Sequence, residues 1–135
     1  MAKETDLQLL TDTQLEIMNF VWQHGSATVA DVWKEMSATR DLARNTVQTM
    51  MVRLEDKGFL RHRMEGKSFV YLPAKKRTTT LRRMLRALIR TAFAGSTAGL
   101  ITTLLEQENL SAAETQRIRD LLDQQSKQEN NEDEK

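Results

Sequence analysis

Between residues 44 and 67 stand nine side chains whose types and spacing suit the gripping and reading of a polyanion. Arg44, Asn45, Thr46, Gln48, Thr49 and Arg53 come first, then Arg61, Arg63 and Lys67. An Asn or Gln amide offers a donor and an acceptor side by side, which matches the edge of adenine, and a threonine methyl packs on the methyl of thymine. Arg pairs with guanine or with phosphate, and Lys and Arg release the counterions condensed on a phosphate chain. Thr and Asn also occupy the exposed faces of ordinary core helices. The basic run that follows them at once is what favours duplex DNA as the partner.

These residues need a scaffold, and the chain around them supplies one. Val47, Met50, Met51 and Leu54 follow the i, i+3, i+4, i+7 spacing of a buried helical face, which predicts a helix over roughly 44–57. Asn45, Thr49, Val52 and Asp56 fall on the opposite side, flanked by Thr46, Gln48 and Arg53. Gly58 ends the helix. Phe59–Arg63 and Ser68–Leu72 alternate as strands, with the turn at Glu65-Gly66 and Pro73 closing the second strand. Upstream, Thr11 and Gln14 form a capping box for a helix reaching about Gln23, with Leu10 stapled to Leu15 and Gly25 as its stop. Ser26–Thr28 is a connector or brief edge strand. Thr28 caps a second helix with Val29, Val32, Trp33 and Met36 as its apolar stripe. Three short helices and a hairpin make a winged helix-turn-helix. Its third helix enters the major groove while the hairpin, or wing, lies along the phosphates. The position before that helix, Ala43, offers no capping acceptor, so its start is expected to fray or borrow Asp41, with full order coming on DNA.

The C-terminal part is helical and apolar on one side. Residues 74–80, AKKRTTT, read as a polar hinge. Leu81, Met84, Leu85, Leu88, Ile89 and Phe93 share one face of the next helix, opposite Arg82, Arg83, Arg86 and Arg90. Gly95-Ser96 breaks it. A further helix carries Leu100, Ile101, Leu104 and Leu105, and a last one opens at Ser111 and carries Ile118, Leu121 and Leu122. So short a unit rarely builds an adequate core alone. The same faces on a second copy are the simplest cover, so the expectation is a homodimer with two DNA-binding heads. The fold class is therefore mainly α with a small β-hairpin wing. Residues 1–74 form a winged-helix DNA-binding domain, residues 75–125 a helical dimerisation domain, and residues 126–135 a disordered acidic tail. Two alternatives stand beside this reading. One is a winged-helix regulator switched by a small ligand; the other is a helical protein-interaction adaptor that does not bind DNA.

Composition narrows the field further. Residues 1–95 hold 16 Lys and Arg against 10 Asp and Glu, and residues 96–135 hold 4 against 9, so the net charge of +1 conceals a basic head and an acidic tail. Residues 53–90 alone carry 12 basic against 3 acidic side chains. The 135 residues include no cysteine, which removes disulfides, thiolate metal sites and cysteine nucleophiles. No apolar run approaches the roughly 18 to 20 residues of a membrane span, and the N-terminus lacks signal-peptide order. The expectation is a cytoplasmic protein with no direct membrane insertion. His24 and His62 are the two histidines, and neither has the company an enzyme would require. His24 suits the negative end of a helix dipole, and His62, between Arg61 and Arg63, suits a structural or phosphate-facing role. No catalytic residue, metal ligand or cofactor is assigned.

The segments TDTQLEIMNFVW, TVADVW, NTVQTMMVRLEDKGFLRHRMEGKSFVY and FAGSTAGLITTLLEQENLSAAETQRIRDLL together resemble the bacterial penicillinase-repressor family, the BlaI/MecI/CopY type of winged-helix regulators, over about residues 8–124. The resemblance implies a homodimeric transcriptional repressor on an inverted-repeat operator. It also implies release when a membrane-bound sensor metalloprotease triggers cleavage of the dimerisation helices. The family's Asn–Phe bond falls at Thr103–Leu104 here, and neither residue matches. The copper-sensing branch uses a C-terminal cysteine cluster, which this chain lacks.

Overall fold

The computed structural model describes residues 9–107 and 110–133. In chain order the elements are α1 (Asp12–His24), α2 (Val29–Met36), α3 (Arg44–Asp56), β1 (Leu60–Glu65), β2 (Ser68–Pro73), α4 (Arg77–Ala92), α5 (Thr97–Gln107) and α6 (Ala112–Asp133). The chain divides into two compact units, one running through Ala92 and the other from Phe93 onward. The division therefore lies later than the expected boundary at residue 74. The stretch 74–80 is not an open hinge. α4 takes up everything from Arg77, and the Trp22 indole N–H donates to the Lys75 carbonyl at 2.8 Å, pinning the connector to α1.

The first unit is organised by signals that act locally. Thr11 and Gln14 close a capping box on α1, and Thr28 and Asp31 close another on α2. Gly25 ends α1 in the left-handed conformation, φ 82°. Ala27 then exchanges two backbone hydrogen bonds with Tyr71, at 2.9 and 2.8 Å, so the connector does form a short edge against β2. Ile17, Met18 and Val21 of α1, Val32 and Met36 of α2, and Val47, Met51 and Leu54 of α3 meet in one core, closed by Phe59, Leu60 and Tyr71. Trp33 departs from the stripe expected of α2. It is 37% exposed, and its indole N–H donates to the Leu42 carbonyl at 2.8 Å, so it braces the α2–α3 turn instead of filling the core. Arg40 fastens the same turn to α1 through Thr13 and Glu16.

α3 passes into the hairpin without slack. Gly58 sits at φ 86°, its amide bonded to the Glu55 carbonyl and the Phe59 amide to the Leu54 carbonyl, both at 2.9 Å. This is a Schellman cap, with Leu54 and Phe59 as its buried apolar pair. β1 and β2 pair antiparallel from Leu60↔Pro73 to Glu65↔Ser68. The loop is Gly66-Lys67, one residue later than expected. Gly66 takes φ 62° and Lys67 does not take a positive φ, the pattern of a type II′ turn.

In the second unit, Ala94 (φ 48°) and Gly95 (φ 86°) interrupt the helical run, and the Ser96 hydroxyl accepts from the Gly99 amide at 2.9 Å to start α5. Ser111 does the same for α6 through the Glu114 amide, at 3.1 Å. Residues 126–133, expected as part of a disordered acidic tail, instead continue α6, and residues 134–135 lie outside the described residues. The segment holds Gln, Lys and Glu, which lose little side-chain freedom in a helix, and neither Gly nor Pro interrupts it. Among the described residues, no single helix is long and apolar enough to cross a membrane.

Candidate nucleic-acid interface

With Val47, Met51 and Leu54 fully buried, α3 has no rotational freedom, and its opposite face is fixed outward. Arg44, Asn45, Thr46, Gln48, Thr49 and Arg53 are all exposed. The Thr49 hydroxyl donates to the Asn45 carbonyl at 2.9 Å, so what Thr49 offers a ligand is its methyl group. α3 begins as a complete helix at Arg44 although Ala43 provides no side-chain cap, and Asp41 does not substitute for it.

Two shallow grooves gather these residues. Asn45, Gln48, Thr49 and Arg53 line one of about 450 Å³, together with the exposed Val52 and with Asp56. Arg44 and Gln48 line another of about 370 Å³, whose far wall is the wing, through Lys67, Phe69 and Tyr71, and whose end is Thr28 at the start of α2. Gln48 belongs to both. Thr46 is exposed on α3 outside either groove. Arg61 and Arg63 are not brought to the helix side. In the hairpin register they oppose Leu72 and Val70, whereas His62 and Met64 oppose Tyr71 and Phe69. Cross-strand partners share a face, so the two arginines lie on the ribbon face away from the groove that Phe69 and Tyr71 line. Arg63 there bonds Glu65 at 2.9 Å. A larger groove of about 740 Å³, between α1 and the connector after β2, holds none of the nine candidate DNA-contact residues.

Sequence reasoning missed Phe69 and Thr28. The alternation in Ser68–Leu72 carries apolar residues on both ribbon faces, so it does not reveal which one packs inward. The signal that was available is an aromatic residue two positions after Lys67 at a hairpin tip.

His62 joins the wing to α3. Its Nδ1 donates to the Glu55 carboxylate, and its ring stacks on Phe69 with centroids 4.4 Å apart. His24 Nδ1 donates to the Phe20 carbonyl at 2.9 Å, at the negative end of the α1 dipole. The Tyr71 phenol, packed beneath this assembly, has its pKa raised, first by burial and second by the Glu55 carboxylate.

A helix with its polar face outward, locked end-on to a hairpin with a cation at its tip, defines the class of winged helix-turn-helix DNA-binding regulators. Residues 10–124 match the penicillinase repressor family, and the chain belongs to it. The penicillinase repressor of Bacillus licheniformis is 30% identical over 115 residues, 85% of this chain and 90% of its own length. The methicillin resistance regulatory protein MecI of Staphylococcus aureus is 24% identical over 113 residues, 84% and 92% of the two chains. A mutant MarR from E. coli, solved in complex with operator DNA, has a TM-score of 0.51 at 14% identity, covering 85% of this chain and 74% of that one; this likeness shows the fold. The family is one of transcriptional repressors and not of enzymes.

Proposed function

We propose that the chain is a homodimeric repressor that holds an inverted-repeat operator. α3 reads base edges through Asn45, Thr46, Gln48 and Thr49, Arg53 pairs with guanine or phosphate, Arg44 faces the backbone beside the wing, and the wing rests on the backbone through Lys67. The observation that carries this reading is the outward face of α3, held by a fully buried opposite face and coupled to the hairpin through Gly58. Arg61 and Arg63, on the outer ribbon face, add to the attraction at longer range.

Dimerisation through residues 75–125 is supported by exposure. None of the thirteen apolar positions from Leu81 to Leu122 assigned to an interface is buried in the single chain. A second copy covers them and sets two reading helices on one face of a duplex.

Release by cleavage at Thr103–Leu104, with a membrane-bound sensor metalloprotease upstream, rests on kinship. The bond lies inside α5, where the Thr103 hydroxyl donates to the Gly99 carbonyl at 2.9 Å, so a protease must first unwind that turn. Cutting there separates the heads and abolishes the high effective concentration of the second one.

The test is selection of bound duplexes from a random pool by the full chain. Recovery of a palindrome with half-sites about one helical turn apart, or a multiple of it, is expected. Recovery of no common motif overturns operator reading, and a single unpaired half-site overturns the dimeric form.

A further inference from the structure

We propose that the groove between the start of α3 and the wing seats the sugar–phosphate backbone of one DNA strand, with Phe69 as an apolar platform under deoxyribose and Lys67 and Arg44 holding the flanking phosphates. This deepens the DNA-binding reading and rests on it. Phe69 is 46% exposed and its cross-strand partner Met64 53% exposed, on the groove-facing side of the hairpin. The Phe69 ring has no freedom to turn away from water. It stacks on His62 at 4.4 Å and meets Tyr71 edge-on at 6.5 Å, and His62 is itself held by Glu55. A rigidly presented apolar ring on a polar surface is costly unless something covers it.

The rim identifies the cover. Arg44, Gln48, Lys67, Ser68 and Thr28 surround the ring, and no carboxylate lines the groove. An apolar peptide would leave the two cations unmatched, and a free phosphate would leave the phenyl ring wet. A nucleic-acid strand alternates anionic phosphate with the apolar face of its sugar, and so satisfies both. Such contacts position the protein on the duplex and carry no base information.

The experiment measures binding of the full chain to its selected operator and to a random duplex across a range of salt. Phe69→Ala is expected to weaken both by about tenfold for each bound head, the loss of roughly half a phenyl ring's burial. The log–log salt slope stays unchanged, because no counterion release is lost. Lys67→Ala lowers the slope by about one for each bound head. Phe69→Leu, which keeps an apolar surface, retains most of the affinity. Should Phe69→Ala fail to fold, a benzophenone-bearing residue placed at position 69 gives the second reading. It crosslinks to duplex DNA under ultraviolet light, and the same residue at position 61, on the other ribbon face, does not. Wild-type affinity in folded Phe69→Ala, a slope that falls with it, or equal crosslinking from both positions overturns the proposal. If the wild-type chain binds no duplex at all, the DNA-binding reading itself fails.

Discussion

At Tyr71, burial and the Glu55 carboxylate act in the same direction, both disfavouring the phenolate. A phenol whose folded pKa lies above its unfolded value contributes stability that is complete below the unfolded pKa, near 10. That contribution is lost as the pH rises through the folded value. The head is therefore expected to weaken in alkaline solution, and Tyr71→Phe to flatten the decline above about pH 10. Urea midpoints followed by circular dichroism between pH 8 and 11 check this, and parallel declines in both proteins would assign the loss to other groups. Gln48 presents a different kind of dependence, because it lines both the outward groove of α3 and the groove shared with the wing. Thr46→Ala with Gln48→Ala is expected to cost about 1 to 3 kcal/mol per base contact on the selected operator, with little change on random DNA. Anisotropy titrations on the two duplexes measure the difference, and equal losses on both would show that these residues do not read sequence.

α3 has an uncapped start and a firmly capped end. Its N-cap, Ala43, sits at φ −71° and ψ 145°, extended geometry that suits a serine, yet it offers no acceptor. Ala43→Ser is expected to stabilise the head by about 0.5 to 2 kcal/mol, read from chemical denaturation. Ser is preferable to Asp at this position because a carboxylate beside Arg44 would repel phosphate. No gain in stability would mean that the neighbouring turn, braced by Trp33 and Arg40, already holds the helix start. Legibility in the sequence followed the same division between local and distant forces. The capping box at Thr11, the cap at Thr28 and the stop at Gly25 depend on residues a few positions apart, so they could be read directly. The exposure of Trp33, the tethering of Lys75 to Trp22 and the choice of ribbon face for Arg61, Arg63 and Phe69 depend on partners from other elements. Alternation in one strand cannot supply that choice, because a strand with apolar residues on both faces has two equivalent packings until its neighbour is placed. The extension of α6 to Asp133 was obscured differently, since acidic and amide-rich composition is common to disordered tails and to exposed helices.

For the whole molecule, the question is what covers the apolar positions of α5 and α6. Leu105 is 54% exposed and Leu122 59% exposed in the single chain, and each sits on a helix that is exposed along most of its length. If a second copy covers them, assembly and operator affinity must fail together, because the dimer raises the effective concentration of its second head. Leu105→Glu with Leu122→Glu places charges where the interface would form, without touching any residue of the first unit's core. The variant is expected to sediment as a monomer at micromolar concentration, where the wild-type chain is expected to sediment as a dimer. Its affinity for the full palindrome should fall by about a hundredfold or more, toward its affinity for an isolated half-site. The salt slope per bound protein should fall by about half, because one head contacts half the phosphates. Sedimentation and anisotropy on the same samples separate the possible outcomes. A variant that stays dimeric places the interface elsewhere. A monomer with undiminished palindrome affinity shows that each head binds independently, in which case breaking the second unit would not release the repressor.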